Sequence, residues 1–201
     1  MGLFGKKECS LCNGKVGSSK LKLTDGVLCA DCAAKLGGLA KSEGRIKTLT
    51  DVQKHLAYRE SNRRALESFH VSRVYGEVEK IYFDDEAHRF FVTDREDWRE
   101  ANPDVIAYSQ VTRFEDIVES NGLKSSAFDD EEDIGSGGTC TDFSILLFVD
   151  SPWFSSITCK LNGEGVLEDE LTSIRREQGQ NCGEYARYQA MLGEIRKTFG
   201  L

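Results

Sequence analysis

Residues 8–36 read ECSLCNGKVGSSKLKLTDGVLCADCAAKL and contain four of the seven cysteines of this 201-residue chain. The four form two CxxC pairs, Cys9 with Cys12 and Cys29 with Cys32, and sixteen residues separate the pairs. Each CxxC turn aims two sulfur atoms and nearby backbone N–H groups at one point, and two such turns complete a tetrahedron. The pattern therefore predicts that this stretch folds around a common centre.

Four thiolates at this spacing are the donor set of a zinc site in a zinc-ribbon or treble-clef unit. All four positions around the ion are filled by protein, which leaves no place for an activated water molecule. We therefore expect one structural zinc ion per chain, bound by Cys9, Cys12, Cys29 and Cys32. A redox-active dithiol pair and an iron-bound ribbon are the alternatives.

Three further cysteines lie outside this motif: Cys140, Cys159 and Cys182. Cys159 lies in a strand-like run and is predicted to be buried, whereas Cys182 in GQNCGEY is predicted to be exposed, with its reactivity open. A nucleophilic cysteine needs a base and an orienting group. The histidines His55, His70 and His88 lie in no recognisable catalytic motif, so no catalytic residue is assigned.

The composition is typical of a globular protein, with 39% hydrophobic and 30% charged residues. The longest apolar run, ILLFV at 145–149, has the length of a strand and not of a membrane-spanning helix. The N-terminus has no signal-peptide pattern, and Lys6 stands where a myristoylation motif has Ser or Thr. The number of cysteines is odd and no export signal is recognised, so disulfide bonds are the weaker interpretation and a reducing compartment is expected. We therefore expect a cytoplasmic protein.

Charge is distributed unevenly along the chain. Residues 1–50 carry nine basic and four acidic side chains, a formal charge of +5. Since the whole chain has a formal charge of −8, residues 51–201 carry −13. The acidic run 129–133 lies in a stretch rich in serine and glycine, 124–138, which is predicted to be a mobile loop. It fails as an EF-hand, because the sixth and twelfth positions are Ile134 and Cys140. Docking of this loop on a basic partner or on the chain's own basic residues is a further hypothesis.

The sequence divides into three predicted parts: a zinc unit at 1–36, a linker and connecting helix at 37–70, and a body at 71–201. In the zinc unit, Asp25-Gly26 predicts a hairpin turn because glycine tolerates positive φ, and ADCAAKLGG predicts a short helix after Cys29.

Residues 37–48, GGLAKSEGRIKT, are predicted to be a flexible linker. A helix is predicted from about Asp51 to Phe69, with Thr50 as N-cap and Gln53 completing a capping box. Its polar positions are dense, which suggests a spacer that docks only partly against the body.

The body alternates with the period of strands. A hairpin is predicted around 84–87, a strand from about Val111 to Glu119, and further strands in TDFSILLFVD and FSSITCKLN. A closing helix is predicted from about Gly183 to Phe199, with an apolar stripe at Tyr185, Tyr188, Leu192, Ile195 and Phe199.

Aromatic residues flank the predicted hairpin and two of the predicted turns. Tyr82, Phe83, Phe90 and Phe91 are expected in the core and at a domain interface. Both tryptophans, Trp98 and Trp153, lie in turn-like regions, which suggests a partner site.

Antiparallel strands followed by an amphipathic helix indicate an α+β fold. The stretch DVIAYSQVTRFEDI at 104–117, two further strands and the final helix resemble bacterial PH-like or GRAM-like domains. With NRRALESF and NPDVIAYSQV, the cysteine motif also resembles an uncharacterised bacterial family described as a domain of unknown function with an N-terminal four-cysteine motif. The resemblance implies a zinc unit followed by a PH-like sheet closed by a C-terminal helix.

The sequence favours a non-catalytic binding or adaptor protein, with a protein as partner. Nucleic-acid binding through Lys15, Lys20 and Lys22 of the basic zinc unit is one alternative. Recruitment of the PH-like body to a membrane surface is another, which its negative charge opposes. An enzyme that uses Cys182 is a more distant alternative, and the sequence leaves the oligomeric state open.

Overall fold

The structure is a computed structural model that describes residues 8–122, 138–168 and 183–201. These residues form two compact units. Unit 1 comprises residues 8–69, Asp97–Val105 and Asp150–Ser155, and unit 2 comprises the described residues of His70–Glu96, Ile106–Val149 and Ser156–Leu201. The acidic run 129–133 and Cys182 lie outside the described residues.

Unit 1 combines a small hairpin with helices: β1 (Lys20–Lys22), β2 (Val27–Cys29), α1 (Ala30–Ala34), α2 (Gly38–Ser42), α3 (Leu49–Glu67) and α4 (Trp98–Ala101). The antiparallel pairing of β1 with β2 confirms the predicted hairpin, and α1 confirms the short helix after it. The stretch 37–48, predicted to be a linker, contains α2.

Gly26 at the tip of the hairpin has a different role from the predicted one. It does not have positive φ. A Cβ atom at this position would instead lie 2.6 Å from Oγ of Ser10. Glycine is required here because the hairpin passes close to Ser10, whose Oγ accepts a hydrogen bond from the N–H of Val27 at 3.0 Å.

The capping box of α3 lies two residues before the predicted one. Thr48 is the N-cap, its side chain accepts the N–H of Asp51, and Asp51 accepts the N–H of Thr48. The prediction of Thr50 with Gln53 was wrong because a Thr-x-x-Gln pattern and a Thr-x-x-Asp pattern overlap here, and the carboxylate forms the reciprocal bond.

The helix α3 is not a spacer, because it contacts both of the later segments of unit 1: Asp150–Ser155 through the packing of His55 on Trp153, and Asp97–Val105 through polar contacts. Arg59 forms an ion pair with Asp104 at 2.9 Å. Buried Asn62 donates to the side-chain oxygen of Asn102 at 2.7 Å and accepts the N–H of Val105 at 2.7 Å. The residues that made α3 look solvent-exposed therefore form its tertiary contacts, which a hydrophobic pattern cannot reveal.

Both tryptophans are buried in unit 1. Trp98 packs against Phe69 with ring centroids 6.1 Å apart, and Trp153 packs edge-on against His55 at 4.6 Å. Each tryptophan is only 8% exposed. The suggestion that they mark an exposed partner site was therefore wrong, since both rings are part of the packing of the unit.

Unit 2 contains two four-stranded antiparallel sheets. The first has the order β3-β4-β5-β6, from β3 (Arg73–Tyr75), β4 (Lys80–Asp84), β5 (Arg89–Thr93) and β6 (Ile106–Ala107). In the second, β8 (Thr139–Val149) pairs on one side with β7 (Val111–Gly122) and on the other with β9 (Ser156–Lys160) and β10 (Val166–Glu168). The predicted hairpin and the later strands are confirmed.

The final helix, α5 (Gly183–Thr198), places its apolar stripe inside unit 2. Tyr188, Leu192 and Ile195 are buried. The ring of Tyr188 stacks on that of Phe143 in β8 with centroids 5.2 Å apart, and Phe199 meets Phe90 at 5.2 Å. The predicted helix is confirmed, with an apolar stripe at the predicted spacing.

The four aromatic residues of the β4–β5 hairpin are all buried. Tyr82 stacks on Phe91 at 4.8 Å, while Phe83 and Phe90 lie with centroids 6.1 Å apart. Because neighbouring strand residues point to opposite faces, both faces of this hairpin are covered.

We expect Thr48→Ala to lower the free energy of unfolding of unit 1 by about 1 kcal/mol, because it removes the N-cap of α3. Thr50→Ala is the matched control and should change it little. Since Trp98 and Trp153 are the chain's two tryptophans and both lie in unit 1, tryptophan fluorescence during urea unfolding measures this unit alone. An equal loss in both variants would contradict the observed cap.

Candidate metal centre

The first cysteine pair lies in a tight turn before β1. The N–H of Asn13 donates to the carbonyl of Cys9 at 2.8 Å, and the N–H of Cys9 donates to the carbonyl of Gly14 at 2.8 Å. Asn13 adopts the left-handed conformation with φ 58°. Asparagine tolerates this conformation better than most residues, so the sequence CNG closes the turn and brings Cys12 close to Cys9.

The second pair lies where β2 passes into α1. Cys29 is the N-cap of α1, and Cys32 lies in its first turn. Residues three apart at the start of a helix lie on the same face of the helix, so the side chains of Cys29 and Cys32 lie next to each other. The hairpin holds the two pairs together, because the N–H of Ser10 donates to the carbonyl of Val27 at 2.8 Å.

The four sulfur atoms lie within 4.8 Å of one another. Those of Cys12 and Cys29 are 3.7 Å apart. A tetrahedral ion with metal–sulfur bonds of about 2.3 Å would hold its ligands about 3.8 Å apart. The structure thus gathers the four predicted cysteines into a cluster that could hold a metal ion.

The environments of the four thiols differ. Cys9, Cys29 and Cys32 are buried and Cys12 is exposed. Burial by itself would raise the pKa of the Cys9 thiol, but backbone N–H groups, first that of Cys29, lower it to about 6. Burial and the neighbouring sulfur atoms raise the pKa of Cys32 to about 12. A divalent cation relieves this crowding, because it binds thiolates and displaces their protons.

Contacts of the hairpin tip join the cysteine cluster to α3. The carboxylate of Asp25 accepts the N–H of Leu49, the first residue of α3, at 2.9 Å. The N–H of Thr24 donates to the carbonyl of Lys47 at 2.9 Å. The sequence predicted a turn at Asp25-Gly26, but it did not predict that Asp25 binds the start of the next helix.

The remaining described cysteines lie in unit 2. Cys159 is fully buried, as predicted, and burial raises the pKa of its thiol to about 12. Cys140 is partly exposed in β8. Within the described residues, the four N-terminal cysteines form the one cluster of three or more potential metal ligands.

His55 is the buried histidine of unit 1, with no exposed surface. Its Nε2 accepts the N–H of Gly37 at 2.9 Å, so the ring is neutral and its hydrogen is on Nδ1. Nδ1 has no hydrogen-bond partner among the described atoms. Burial, with the positive charges of Arg59 and Lys41, lowers the pKa of His55 to about 4. His55 therefore supports the link between α2 and α3 as an acceptor and not as a cation.

A family model described as a domain of unknown function, DUF4428, matches residues 7–55. The matched stretch contains all four cysteines, the hairpin, α1, α2 and the start of α3 up to His55. No curated protein and no solved structure matches the chain. The family model thus covers about a quarter of the chain and ends inside α3, the long helix of unit 1.

None of the helices in the described part of the chain combines the length and the apolar character that crossing a membrane requires.

We expect the free energy of unfolding of unit 1 to fall as the pH is lowered from 6.5 towards 4. In this range the unfolded chain binds a proton at His55 that the folded chain does not, since the pKa of His55 falls from 6.5 to about 4 on folding. The slope from this residue is at most about 1.4 kcal/mol per pH unit. His55→Gln should remove that slope in urea titrations followed by tryptophan fluorescence, while His70→Gln, at an exposed histidine, should keep it. Equal slopes in the wild type and His55→Gln would contradict this role.

Proposed function

We propose that the N-terminal unit binds one structural zinc ion through Cys9, Cys12, Cys29 and Cys32, and that the protein is a non-catalytic binding or adaptor module. The observation that carries this proposal is the convergence of four sulfur atoms within 4.8 Å. Four cysteine ligands leave no open coordination position, so the ion would stabilise the unit without activating water. The order of cysteine turn, hairpin and helix favours the treble-clef alternative over the ribbon.

Zinc would be the main support of this part of the chain. Besides the cysteines, the buried apolar side chains between residues 8 and 45 are those of Leu28, Leu36 and Ala40. So small a core rarely folds without a metal or a disulfide. Thiolate ligands also require a reducing environment, which supports the proposal that the protein is cytoplasmic.

A protein partner is the proposed target of the zinc unit. Lys15, Lys20 and Lys22 are exposed, and Lys20 and Lys22 alternate along β1 so that both point to the same face. A rigid hairpin that presents lysines is suited to an acidic surface on a partner. The same lysines favour nucleic acid as a second candidate, whose binding would weaken steeply with salt.

The body of the protein is proposed to be a PH-like domain. Two antiparallel four-stranded sheets and a C-terminal helix whose Tyr188 stacks on Phe143 support this proposal. The resemblance of the body to PH-like or GRAM-like domains stays a prediction. The division of the chain after residues 36 and 70 also stays a prediction.

We expect purified protein to contain one zinc ion per chain, measured by elemental analysis of the full chain after extensive dialysis. Cys12→Ser and Cys29→Ser should each lose stoichiometric zinc, because one ligand of four is removed. Cys140→Ser is the matched control, since Cys140 lies outside the cluster, and it should keep one zinc ion. A cluster variant that retains one tightly bound zinc ion would contradict the four-cysteine assignment.

We expect the double variant Lys20→Glu/Lys22→Glu to keep its zinc and lose at least tenfold in affinity for an acidic partner. The first probes are a fluorescent polyglutamate peptide and a fluorescent single-stranded DNA oligonucleotide, titrated in fluorescence anisotropy at two salt concentrations. The double variant Lys54→Glu/Arg63→Glu, at two exposed basic residues of α3, is the matched control with the same change of charge. Binding of the peptide alone would support a protein partner, and binding of DNA with a steep salt dependence would replace it by nucleic acid. Binding of neither probe would contradict a role of these lysines in recognising acidic ligands.

A further inference from the structure

The strand β7 presents an open edge in unit 2. Its twelve residues, Val111–Gly122, pair with β8 along one side, and within the described residues no strand pairs with the other side. The pairing with β8 is regular from Arg113 onward. Unpaired backbone N–H and C=O groups along such an edge are a template for another strand.

The two faces of β7 differ in chemistry. Phe114, Asp116 and Val118 lie on the inner face, opposite the buried residues Leu147, Ile145 and Phe143 of β8. Val118 is 36% exposed although its neighbour Phe143 is fully buried. The inner face of the sheet therefore ends at this edge with an apolar side chain that nothing in the described residues covers fully.

On the outer face, Arg113, Glu115, half-buried Ile117 and Glu119 follow one another along the edge. The guanidinium of Arg113 stacks over the ring of Phe148 at 3.8 Å and forms an ion pair with Glu115 at 3.1 Å. The side chain of Arg113 is still 59% exposed, and Glu119 is also exposed. The outer face of the edge thus carries charges of both signs at fixed positions.

We propose that two copies of this chain associate by antiparallel pairing of β7 with β7. This inference goes beyond the proposed function and does not rest on the metal. A second copy is favoured over an unrelated strand because β7 is complementary to itself in one register. Such a pairing is symmetric, with the same residues contributed by both chains.

The register follows from the symmetry and the charges. A two-fold axis perpendicular to the sheet relates the two strands and keeps each side chain on its own face of the sheet. Residues that pair across the interface must therefore be an even number of positions apart, so the axis passes through one residue, which faces its own copy. With the axis at Ile117, Glu115 faces Glu119 at two places, which is destabilising. With the axis at Phe114, Arg113 would face Glu115 at two places, but only residues 111–117 would pair and Val118 would stay uncovered. With the axis at Asp116, Arg113 faces Glu119 at two places, where opposite charges attract, and residues 111–121 all pair.

The register centred on Asp116 also suits the inner face. It places Phe114 opposite Val118 at two places, which covers the exposed side chain of Val118. Asp116 then faces its own copy, but each carboxylate is already bound by Arg196 of α5 in its own chain. Glu115 faces Ile117 in this register, so the preference for it comes from the Arg113–Glu119 pairs on the outer face and the Phe114–Val118 pairs on the inner face.

The test uses the full, zinc-loaded chain in a reducing buffer, with its mass measured by sedimentation equilibrium over a range of concentrations. We expect the wild type to form a dimer, and Arg113→Glu and Glu119→Arg each to raise the dissociation constant at least tenfold. The first change makes the chain more negative and the second makes it less negative, so an effect of net charge alone would have opposite signs. Glu86→Arg, in the exposed turn after β4, is the matched control and should leave the dimer intact.

Mixing the two weakened variants tests the register directly. In a mixed pair, the carboxylate introduced at position 113 of one chain would face the guanidinium introduced at position 119 of the other. At the second place the unchanged Glu119 and Arg113 would still face each other, so a one-to-one mixture should form a heterodimer of near wild-type affinity. The double variant Arg113→Glu/Glu119→Arg should dimerise with itself, because opposite charges again meet at both places. Recovery on mixing also shows that neither variant failed to fold.

Three results would overturn the proposal. A wild-type chain that stays monomeric at about 1 mM has no such interface and leaves the edge to a strand of another protein. A dimer that both charge variants leave unchanged is formed by another surface. Weakened variants that do not recover on mixing exclude the register centred on Asp116.

Discussion

Four cysteine sulfur atoms converge to within 4.8 Å, and the fold of the N-terminal residues depends on this convergence. Four thiolates so close together repel one another, and a protein interior of this size has little apolar burial to offset that cost. Burial and the neighbouring sulfur atoms raise the pKa of Cys32, whereas at Cys9 the surrounding backbone N–H groups outweigh burial and lower the pKa. A divalent cation of tetrahedral preference would satisfy all four groups together, and for this reason the chemistry of the cluster favours a metal over free thiols.

The second constraint in unit 1 is polar and passes through α3. Asp25 binds the first N–H of this helix, and Arg59 pairs with Asp104. Asn62 donates to the carbonyl of Pro103 and accepts the N–H of Val105. Asp104 lies in a setting where burial raises its pKa, and the guanidinium of Arg59 opposes that shift. Breaking one partner of such a buried pair costs more than the pair itself contributes, so these contacts specify how the later segments return to the unit.

The partners proposed for the two units would be recognised in different ways. Unit 1 presents charged side chains on a short hairpin beside the proposed zinc site, where the partner would be read by charge. In unit 2, the strand β7 would bind the proposed partner strand through backbone hydrogen bonds, and the register of the two strands would determine which side chains meet. An adaptor that dimerises through one unit could present two copies of the other, which raises the effective affinity for a partner with repeated sites.

The sequence by itself determined the elements whose signals are local. The CxxC spacing predicted which four cysteines meet, and the alternation in TDFSILLFVD and the stripe through Tyr188 and Leu192 predicted β8 and α5. These signals are local because a turn, a strand or one helix face is defined by residues a few positions apart. These local signals did not distinguish between the two overlapping capping boxes, at Thr48 and at Thr50.

Only the tertiary structure decided which distant segments belong together. Asp97–Val105 and Asp150–Ser155 look like turns of the body, but both pack in unit 1. Asn62 of α3 binds the backbone of the first segment at Pro103. In the second segment, the N–H of Ser155 donates to the carboxylate of Glu43, and Trp153 packs on His55. Hydrogen bonds between buried polar groups leave no periodic trace in a sequence, since each one depends on a partner that is distant along the chain. For the bonds of Asn62 to Asn102, Pro103 and Val105, that partner is at least 40 residues away. The same reason explains why the open edge of β7 becomes visible only once β8, its one neighbour among the described strands, is known.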